Sequence, residues 1–164
     1  MSTALDTELA VEYLMSKETV TNTRLSSLGA LHRAVEAGSM PTGAVLASIV
    51  KAVLRNLGVG NIRVRREGLV IVGVIATRLG GAFAEHLAKT LPPLVQRLGD
   101  HTTAQRMVAE AAVETFEAVQ AAVGARAVYE ELLGTKAFEN KSWRVREQLL
   151  RALGSTLLKH GAAD

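Results

Sequence analysis

Hydrophobic residues recur at helical spacing through nearly the whole chain, and short segments rich in glycine or proline interrupt the pattern. The pattern predicts one helix over about residues 20–37 and a second over about residues 45–57. A third helix is predicted over about residues 62–79. Because this third segment is apolar on most sides, we expect it to lie centrally among the other helices.

The rest of the chain repeats the same alternation of helix and break. Four more helices are predicted, over about residues 87–98, 108–123, 128–133 and 143–160. Paired in chain order, the seven helices make three antiparallel hairpins and one unpaired helix, which is about three and a half repeats. No linker divides them, so we predict that residues 1–164 form a single domain.

The composition agrees with packed helices and argues against several other classes of protein. The chain is 48% hydrophobic but only 4% aromatic, which suits helices packed at short range better than a β-sandwich. The formal net charge is +3, which is below the charge density of a dedicated nucleic-acid binder, so no nucleic-acid partner is expected. The absence of cysteine excludes disulfides, thiolate metal sites and a cysteine nucleophile.

The sequence also predicts where the protein resides. Its longest apolar stretch, residues 69–76, is far shorter than the roughly 20 residues that span a bilayer. Residues 1–12 lack the basic and apolar regions of a signal peptide. We therefore predict a cytoplasmic protein with no membrane partner.

No pattern of catalytic or metal-binding residues stands out. The four histidines form no pair at i, i+4 spacing, and no serine lies in a nucleophile motif. The glycines near residues 58–60 lack the Lys-Ser/Thr pair of a phosphate loop. We therefore predict that the chain is not an enzyme and binds no metal or cofactor.

One charged segment occurs twice. Residues 141–147 repeat part of residues 62–67 at an offset of 81 residues. The matching positions are Arg63 and Arg144, Val64 and Val145, Arg65 and Arg146, with Leu69 and Leu150 following in register. The offset is about twice the ~40-residue period of HEAT repeats. The sequence thus predicts an all-α fold, an α-solenoid of HEAT-like antiparallel helical hairpins that binds along an extended edge.

The repeated arginines predict contacts between repeats. Arginines at a helix start oppose the helix dipole, so they need carboxylates or carbonyls as partners. We expect Arg65 and Arg146 to bridge neighbouring repeats, with Asp100 as a bidentate partner at a suitable turn. Trp143 is expected to pack between repeats. A direct contact of these residues with a ligand is the alternative.

An unpaired last helix would leave an apolar face uncovered. The chain is then either part of a longer array or ends in a helix with an unusually polar outer side. Arg144, Arg151 and Lys159 are compatible with the second explanation, but we favour the first.

Three segments resemble motifs of one family, in the family's order and spacing. Residues 91–100 are similar to the "LPxLVxRLGD" end of a second repeat, and residues 140–147 are similar to the "HKxWRVRE" start of a fourth. Residues 16–32 resemble the first-repeat pattern "SKDTxxRxxGLxxLH". Together the motifs resemble TOG domains of the CLASP family, most of all its plant-type members, over about residues 11–160.

The resemblance implies a microtubule-associated TOG domain that binds αβ-tubulin, a location on the microtubule cytoskeleton, and no cofactor. Family TOG domains have six repeats, so the chain would be the N-terminal part of a longer six-repeat array. They contact tubulin through the turns inside each hairpin. With the hairpins predicted above, the candidate tubulin-binding residues are Ser39, Met40, Gly81, Phe83, Arg126, Lys159 and His160.

On this assignment the repeated charged segment lies between hairpins and connects neighbouring repeats. The predicted edge departs from the family because Met40 stands where many tubulin-binding members have tryptophan, and because cations are few. The alternative is a HEAT-repeat scaffold that docks an acidic or amphipathic peptide without binding tubulin. A ciliary TOG-array protein is a narrower alternative within the family. A monomer is the expected oligomeric state.

Overall fold

The computed structural model describes residues 2–38 and 40–160, which are almost entirely helical and contain no β-strand. This confirms the predicted all-α fold. Eight α-helices follow one another in the described residues: α1 (Ser2–Met15), α2 (Thr21–Glu36), α3 (Gly43–Asn56), α4 (Ile62–Leu79), α5 (Leu87–Leu98), α6 (Arg106–Val123), α7 (Ala125–Gly134) and α8 (Trp143–His160). Three short 3₁₀ helices cover Gly80–His86, Thr103–Gln105 and Ala137–Glu139.

The pairing of the helices differs from the prediction by one helix, because the sequence pattern missed α1. Helix α1 packs mainly on α2, α3 packs on α4, and α5 packs on α6. By contrast, α2 with α3 and α4 with α5 make at most slight contact. The hairpins are therefore α1–α2, α3–α4 and α5–α6, and α7 and α8 follow them. Helices α7 and α8 make at most slight contact with each other, and α8 packs on α5 and α6.

The second helices of the hairpins stack in a row. Helix α4 packs between α2 and α6, and α3 covers a further side of it. The prediction that this segment lies centrally is confirmed, since Leu69, Ile71 and Ile75 are almost completely buried. Ile62–Leu98 has a mean hydropathy of 1.5 over its most apolar window, long and apolar enough to span a membrane. Packing in the helical core explains part of this composition, since 39% of that window is buried.

An arginine at the fourth position of a second helix closes the first turn. The guanidinium of Arg24, only 8% exposed, donates hydrogen bonds to the carbonyl oxygens of Thr19 at 3.0 Å and Ser16 at 2.6 Å. It also donates to the carbonyl of Leu14 at 3.2 Å and to Asn56 Oδ1 at 2.8 Å. A buried cation is thereby satisfied by carbonyl groups that the turn leaves without helical partners.

The same position repeats along the chain. Arg65 is the fourth residue of α4 and donates to the Val59 carbonyl, and Arg146 is the fourth residue of α8 and donates to the Asn140 carbonyl. Arg24, Arg65, Arg106 and Arg146 are spaced by 41, 41 and 40 residues, which reveals the repeat period directly. Arg106 is the exception, since it is exposed and pairs with Glu110 at 2.8 Å instead of closing a turn.

In the third hairpin a carboxylate, not a backbone carbonyl group, is the acceptor for the arginines. Asp100 accepts from Arg65 at 3.4 Å and from Arg97 at 3.3 Å, both at Oδ2. The contact joins the second and third hairpins through one nitrogen of Arg65, so it is not bidentate. Burial lowers the pKa of Arg97, the Asp100 carboxylate opposes this effect, and the nearby Arg65 guanidinium lowers the pKa further.

The Arg24 cluster allows a direct test of this packing. We expect Arg24→Met to lower the free energy of unfolding by about 3 kcal/mol, because it leaves Asn56 Oδ1 and the turn carbonyls without their donor. Arg33→Met on the exposed side of the same helix is the matched control and should change it by less than about 0.5 kcal/mol. Urea denaturation followed by circular dichroism measures both values. Equal effects of the two substitutions would contradict the proposed role of Arg24.

Candidate functional site

The corrected pairing defines two opposite edges of the array. The intra-hairpin edge consists of the turns inside the three hairpins, residues 16–20, 57–61 and 99–102, together with residues 135–142, which join α7 and α8, and the adjoining starts of α4 and α8. The inter-hairpin edge consists of the connections between successive pairs, residues 37–42, 80–86 and 124. Because the hairpins stack side by side, each set of turns is carried to one edge.

The residues predicted to bind tubulin belong to the inter-hairpin edge or the end of α8 rather than to the turns inside hairpins. Phe83 is 1% exposed and lies with its ring centroid 5.8 Å from that of His86, so it cannot serve as a surface contact. Met40 is partly buried and packs against the core. Gly81 is exposed. Ser39 and the side chain of His160 lie outside the described residues.

The two cations predicted for this site already have acidic partners. Arg126 Nε lies 2.9 Å from Glu130 Oε1, and this hydrogen bond raises the pKa of Arg126. Lys159 Nζ lies 2.9 Å from Glu117 Oε1. Both side chains are largely exposed, but their charge is partly neutralised within the molecule.

The intra-hairpin edge carries five exposed cations that have no ion-pair partner in the described residues. Lys17, Arg63, Lys136, Lys141 and Arg144 are exposed, and none forms an ion pair with any residue in 2–38 or 40–160. Lys136 has φ 55°, a left-handed conformation that is uncommon for a residue other than glycine. Sequence reasoning selected none of these five residues, because it placed residues 57–61 and 135–142 between hairpins and residues 16–20 before the first hairpin.

Trp143 lies on the same edge and does not pack between repeats as the sequence analysis expected. It is the first residue of α8 and is 58% exposed. The Arg144 guanidinium carbon lies 5.1 Å from the centroid of the tryptophan ring, within the range of a cation–π contact. The edge therefore presents an aromatic surface next to a positive charge.

Helix caps place these side chains at the edge. Asn61 Oδ1 accepts from the backbone nitrogens of Arg63 and Val64 at 3.0 and 3.2 Å. At the start of α8, Ser142 Oγ accepts from the nitrogen of Val145 at 3.5 Å. Such caps satisfy free N–H groups of the first helical turn. They determine where each helix begins, and with it the position of the cation at the second helical residue.

A cleft of about 310 Å³ separates the third turn from the start of α8. Leu98, Ala109 and Val113 give it apolar walls, and Trp143 and Arg144 line it from the edge. The closest approach across this region is at Gly99, where a Cβ atom would come within 2.4 Å of Val145 Cγ2. The third hairpin and α8 are therefore in close contact beside the cleft.

The fold and the edge define a class of protein. A stack of antiparallel helical hairpins that aligns its turns along one edge is a HEAT-type array. No protein-family model matches the chain. The comparisons with individual proteins are more informative.

The chain is 30% identical to the CLIP-associated protein of Arabidopsis thaliana over 151 residues, which cover 92% of the chain and 10% of that protein. It is also 33% identical to Protein ILITYHIA from the same plant over 92 residues. These residues cover 56% of the chain and 3% of that protein. In structure it resembles the MAST/Orbit N-terminal domain with a TM-score of 0.75 and 18% identity, covering 93% of the chain and 66% of that domain.

These similarities confirm the resemblance that the three sequence motifs indicated. The chain is a TOG domain of the CLASP family. It spans about a tenth of the length of the CLIP-associated protein and just under two thirds of the MAST/Orbit domain.

The contact at Gly99 predicts a specific sensitivity. We expect Gly99→Ala to lower the free energy of unfolding by about 2 kcal/mol, because the added methyl group displaces Val145 and with it the start of α8. Gly134→Ala is the matched control, since a Cβ atom there meets no other atom within 4 Å. Thermal and urea denaturation of both variants measure the difference. A Gly99→Ala variant as stable as the control would contradict the close packing of turn and helix.

Proposed function

We propose that the chain is a microtubule-associated module that binds αβ-tubulin through its intra-hairpin edge. One observation carries the proposal: five exposed cations without an ion-pair partner in the described residues share this edge with the exposed Trp143. The family resemblance implies binding through the turns inside hairpins. By their packing, residues 16–20, 57–61 and 99–102 are turns inside hairpins, and residues 135–142 join α7 and α8.

Electrostatics favour this edge over the opposite one. Tubulin is acidic, and cations that face an acidic partner raise the association rate and exclude wrongly charged partners. Arg63, Lys141 and Arg144 can face a partner with their full charge. Arg126 and Lys159 would first have to exchange Glu130 and Glu117 for the partner's carboxylates.

Trp143 supplies an apolar anchor within the charged edge. Tryptophan and arginine are enriched among residues that dominate binding energy at interfaces. Trp143 and Arg144 are adjacent, and the start of α8 holds both of them beside the cleft. Many tubulin-binding members have a tryptophan where this chain has Met40. In this chain the exposed tryptophan is Trp143, at the start of α8.

The alternative of a peptide-docking scaffold without a tubulin role has less support. A peptide-docking scaffold would be favoured by an uncharged intra-hairpin edge and a basic groove between the helices. The groove between α4 and α6, about 270 Å³, contains Arg78 and Glu114 with opposite charges. Arg78 also donates to the carbonyl oxygens of Glu36 and Gly38 at 2.7 and 2.6 Å. The observed charges therefore favour the tubulin proposal.

Two further expectations belong to this proposal. The chain would act on the microtubule cytoskeleton, as a binding module rather than an enzyme. It would also be the N-terminal part of a longer six-repeat array, of which the described residues form three hairpins followed by α7 and α8.

Charge reversal on each edge in turn tests the proposal. We expect Arg63→Glu/Lys141→Glu to weaken the apparent affinity for αβ-tubulin at least about tenfold at low salt, by removing attraction and adding repulsion. Glu at position 63 lies in the first turn of α4, where a negative charge suits the helix dipole, so folding is retained. Co-elution of the chain with αβ-tubulin on a sizing column, at low and physiological salt, measures the effect.

The matched control is Arg126→Glu/Lys159→Glu, which changes the net charge by the same amount on the other side of the molecule. We expect it to change the affinity by no more than about twofold. If the control weakens binding more than Arg63→Glu/Lys141→Glu does, tubulin binds at the inter-hairpin edge or the end of α8. Absence of co-elution of the unmodified chain at low salt would refute tubulin binding itself.

The exposed tryptophan gives a second, independent prediction. Trp143→Ala should lower tubulin affinity about tenfold or more, as expected for an interface anchor. It should change the free energy of unfolding by less than about 1 kcal/mol, because the side chain is largely exposed. Val45→Ala, also half exposed but in the first turn of α3, is the control for a general loss of surface apolarity. A structural role for Trp143 would reverse this pattern, with stability lost and affinity kept.

A further inference from the structure

The cleft beside the start of α8 lies where the internal repeat places a contact between helices. Between α2 and α4, His32 Nδ1 lies 3.1 Å from Glu67 Oε1. Gln148 of α8 follows Glu67 by 81 residues, the offset of the repeated segment. Gln148 lines the cleft of about 310 Å³ between α8, the first half of α6 and the third turn. The position that contacts the preceding helix in α4 therefore borders an open space in α8.

The cleft lies on the side of α8 that faces the preceding hairpin. In α4, a different side seats the following helix: Leu69 is completely buried, and its carbonyl accepts a hydrogen bond from Thr115 Oγ1 of α6 at 2.8 Å. Leu150 of α8 is equivalent to Leu69 and does not line the cleft. A helix that follows α8 in a longer array would pack on the side of Leu150, so the cleft would stay open.

Apolar side chains form the walls of the cleft. Leu98 is 1% exposed, and Ala109 and Val113 are partly buried. The ring of Trp143 borders the opening and is 58% exposed. An apolar group that enters this space leaves water and is thereby stabilised. A volume of about 310 Å³ is at the lower end of the range for ligand pockets, so the cleft suits one large side chain.

The charge of the cleft that has no partner is positive. Arg144 at the opening forms no ion pair with any residue in 2–38 or 40–160, and its guanidinium carbon lies 5.1 Å from the centroid of the Trp143 ring. The three carboxylates that line the cleft each have an arginine partner. The pairs are Asp100 with Arg65 and Arg97, Glu110 with Arg106, and Glu147 with Arg151.

We propose that the cleft receives one large apolar side chain from an acidic segment of the partner that binds at the intra-hairpin edge. The apolar side chain would pack between Leu98, Val113 and the ring of Trp143, while Arg144 would pair with a neighbouring carboxylate of the segment. Burial in the cleft would supply affinity, and the unpaired guanidinium would select an acidic segment. The inference rests on the proposed function, because the segment belongs to the same partner.

A peptide titration measures this preference without tubulin. Trp143 is the only tryptophan of the chain, so its fluorescence reports occupation of the cleft. The probe is a capped peptide with one phenylalanine between two pairs of glutamates. We expect it to bind at least about fivefold more tightly than the same peptide with alanine in place of phenylalanine. At low salt it should also bind at least about threefold more tightly than a peptide with glutamine in place of glutamate. Equal affinity in either comparison would overturn the proposal.

Two variants separate the apolar part of the cleft from its charge. Ala109→Leu fills the cleft without changing a charge, so the preference for phenylalanine should fall below about twofold. Ala121→Leu, at an exposed position near the other end of α6, is the matched control and should keep it. Arg144→Gln should remove the preference for glutamate and keep that for phenylalanine, whereas Arg66→Gln on the exposed side of α4 should keep both. Circular dichroism checks that each variant is folded.

The same variants connect the cleft with tubulin binding. We expect Ala109→Leu to weaken co-elution with αβ-tubulin at least about fivefold and Ala121→Leu to leave it unchanged. If folded Ala109→Leu co-elutes as the unmodified chain does, the proposal for the cleft fails while tubulin binding stands. If the unmodified chain does not co-elute at low salt, the proposed function fails. The peptide comparisons then still support or overturn the preference of the cleft for an apolar side chain in an acidic segment.

Discussion

The closure of hairpin turns by a buried or half-buried arginine is the interaction on which the rest of the structure depends. A guanidinium withdrawn from water needs several acceptors, and a tight turn leaves carbonyl oxygens without helical partners. Arg24, Arg65 and Arg146 satisfy both requirements at once in three of the four turns. The third turn uses Asp100 as acceptor for two arginines, one of them from the neighbouring hairpin.

This interaction also connects the fold with the candidate binding edge. The closing arginine is the fourth residue of α4 and α8, and the exposed Arg63 and Arg144 are the second. Two residues along an α-helix correspond to a rotation of about 200°, so one arginine turns inward while the other faces solvent. The aligned second-position cations thus follow from the contacts that align the turns. The cationic edge is a consequence of the helical register, and Trp143 joins it as the first residue of α8.

The sequence predicted most helices closely but assigned the wrong partners. Seven helices came from clear apolar stripes, whereas the buried face of α1 is formed by Thr7, Ala10 and Leu14, with Leu9 and Tyr13 exposed. A stripe of one threonine, one alanine and one leucine is a weak hydrophobic signal. Missing this helix shifted every pair by one and exchanged the two edges. The spacing of Arg24, Arg65, Arg106 and Arg146 was the available signal for the correct register.

The sequence by itself determined the all-α class, the repeat and the family, because helical periodicity and ordered motifs are local properties of the chain. It also singled out Arg65 and Asp100 as a pair. Tertiary structure alone decided that Phe83 is buried, that Trp143 is exposed, and that Arg126 and Lys159 have acidic partners. The repeated segment shows the physical reason: Leu69 and Leu150 occupy equivalent positions, yet only Leu69 is covered by a following helix. Exposure depends on which neighbour packs on a residue, and that neighbour lies far away in the sequence.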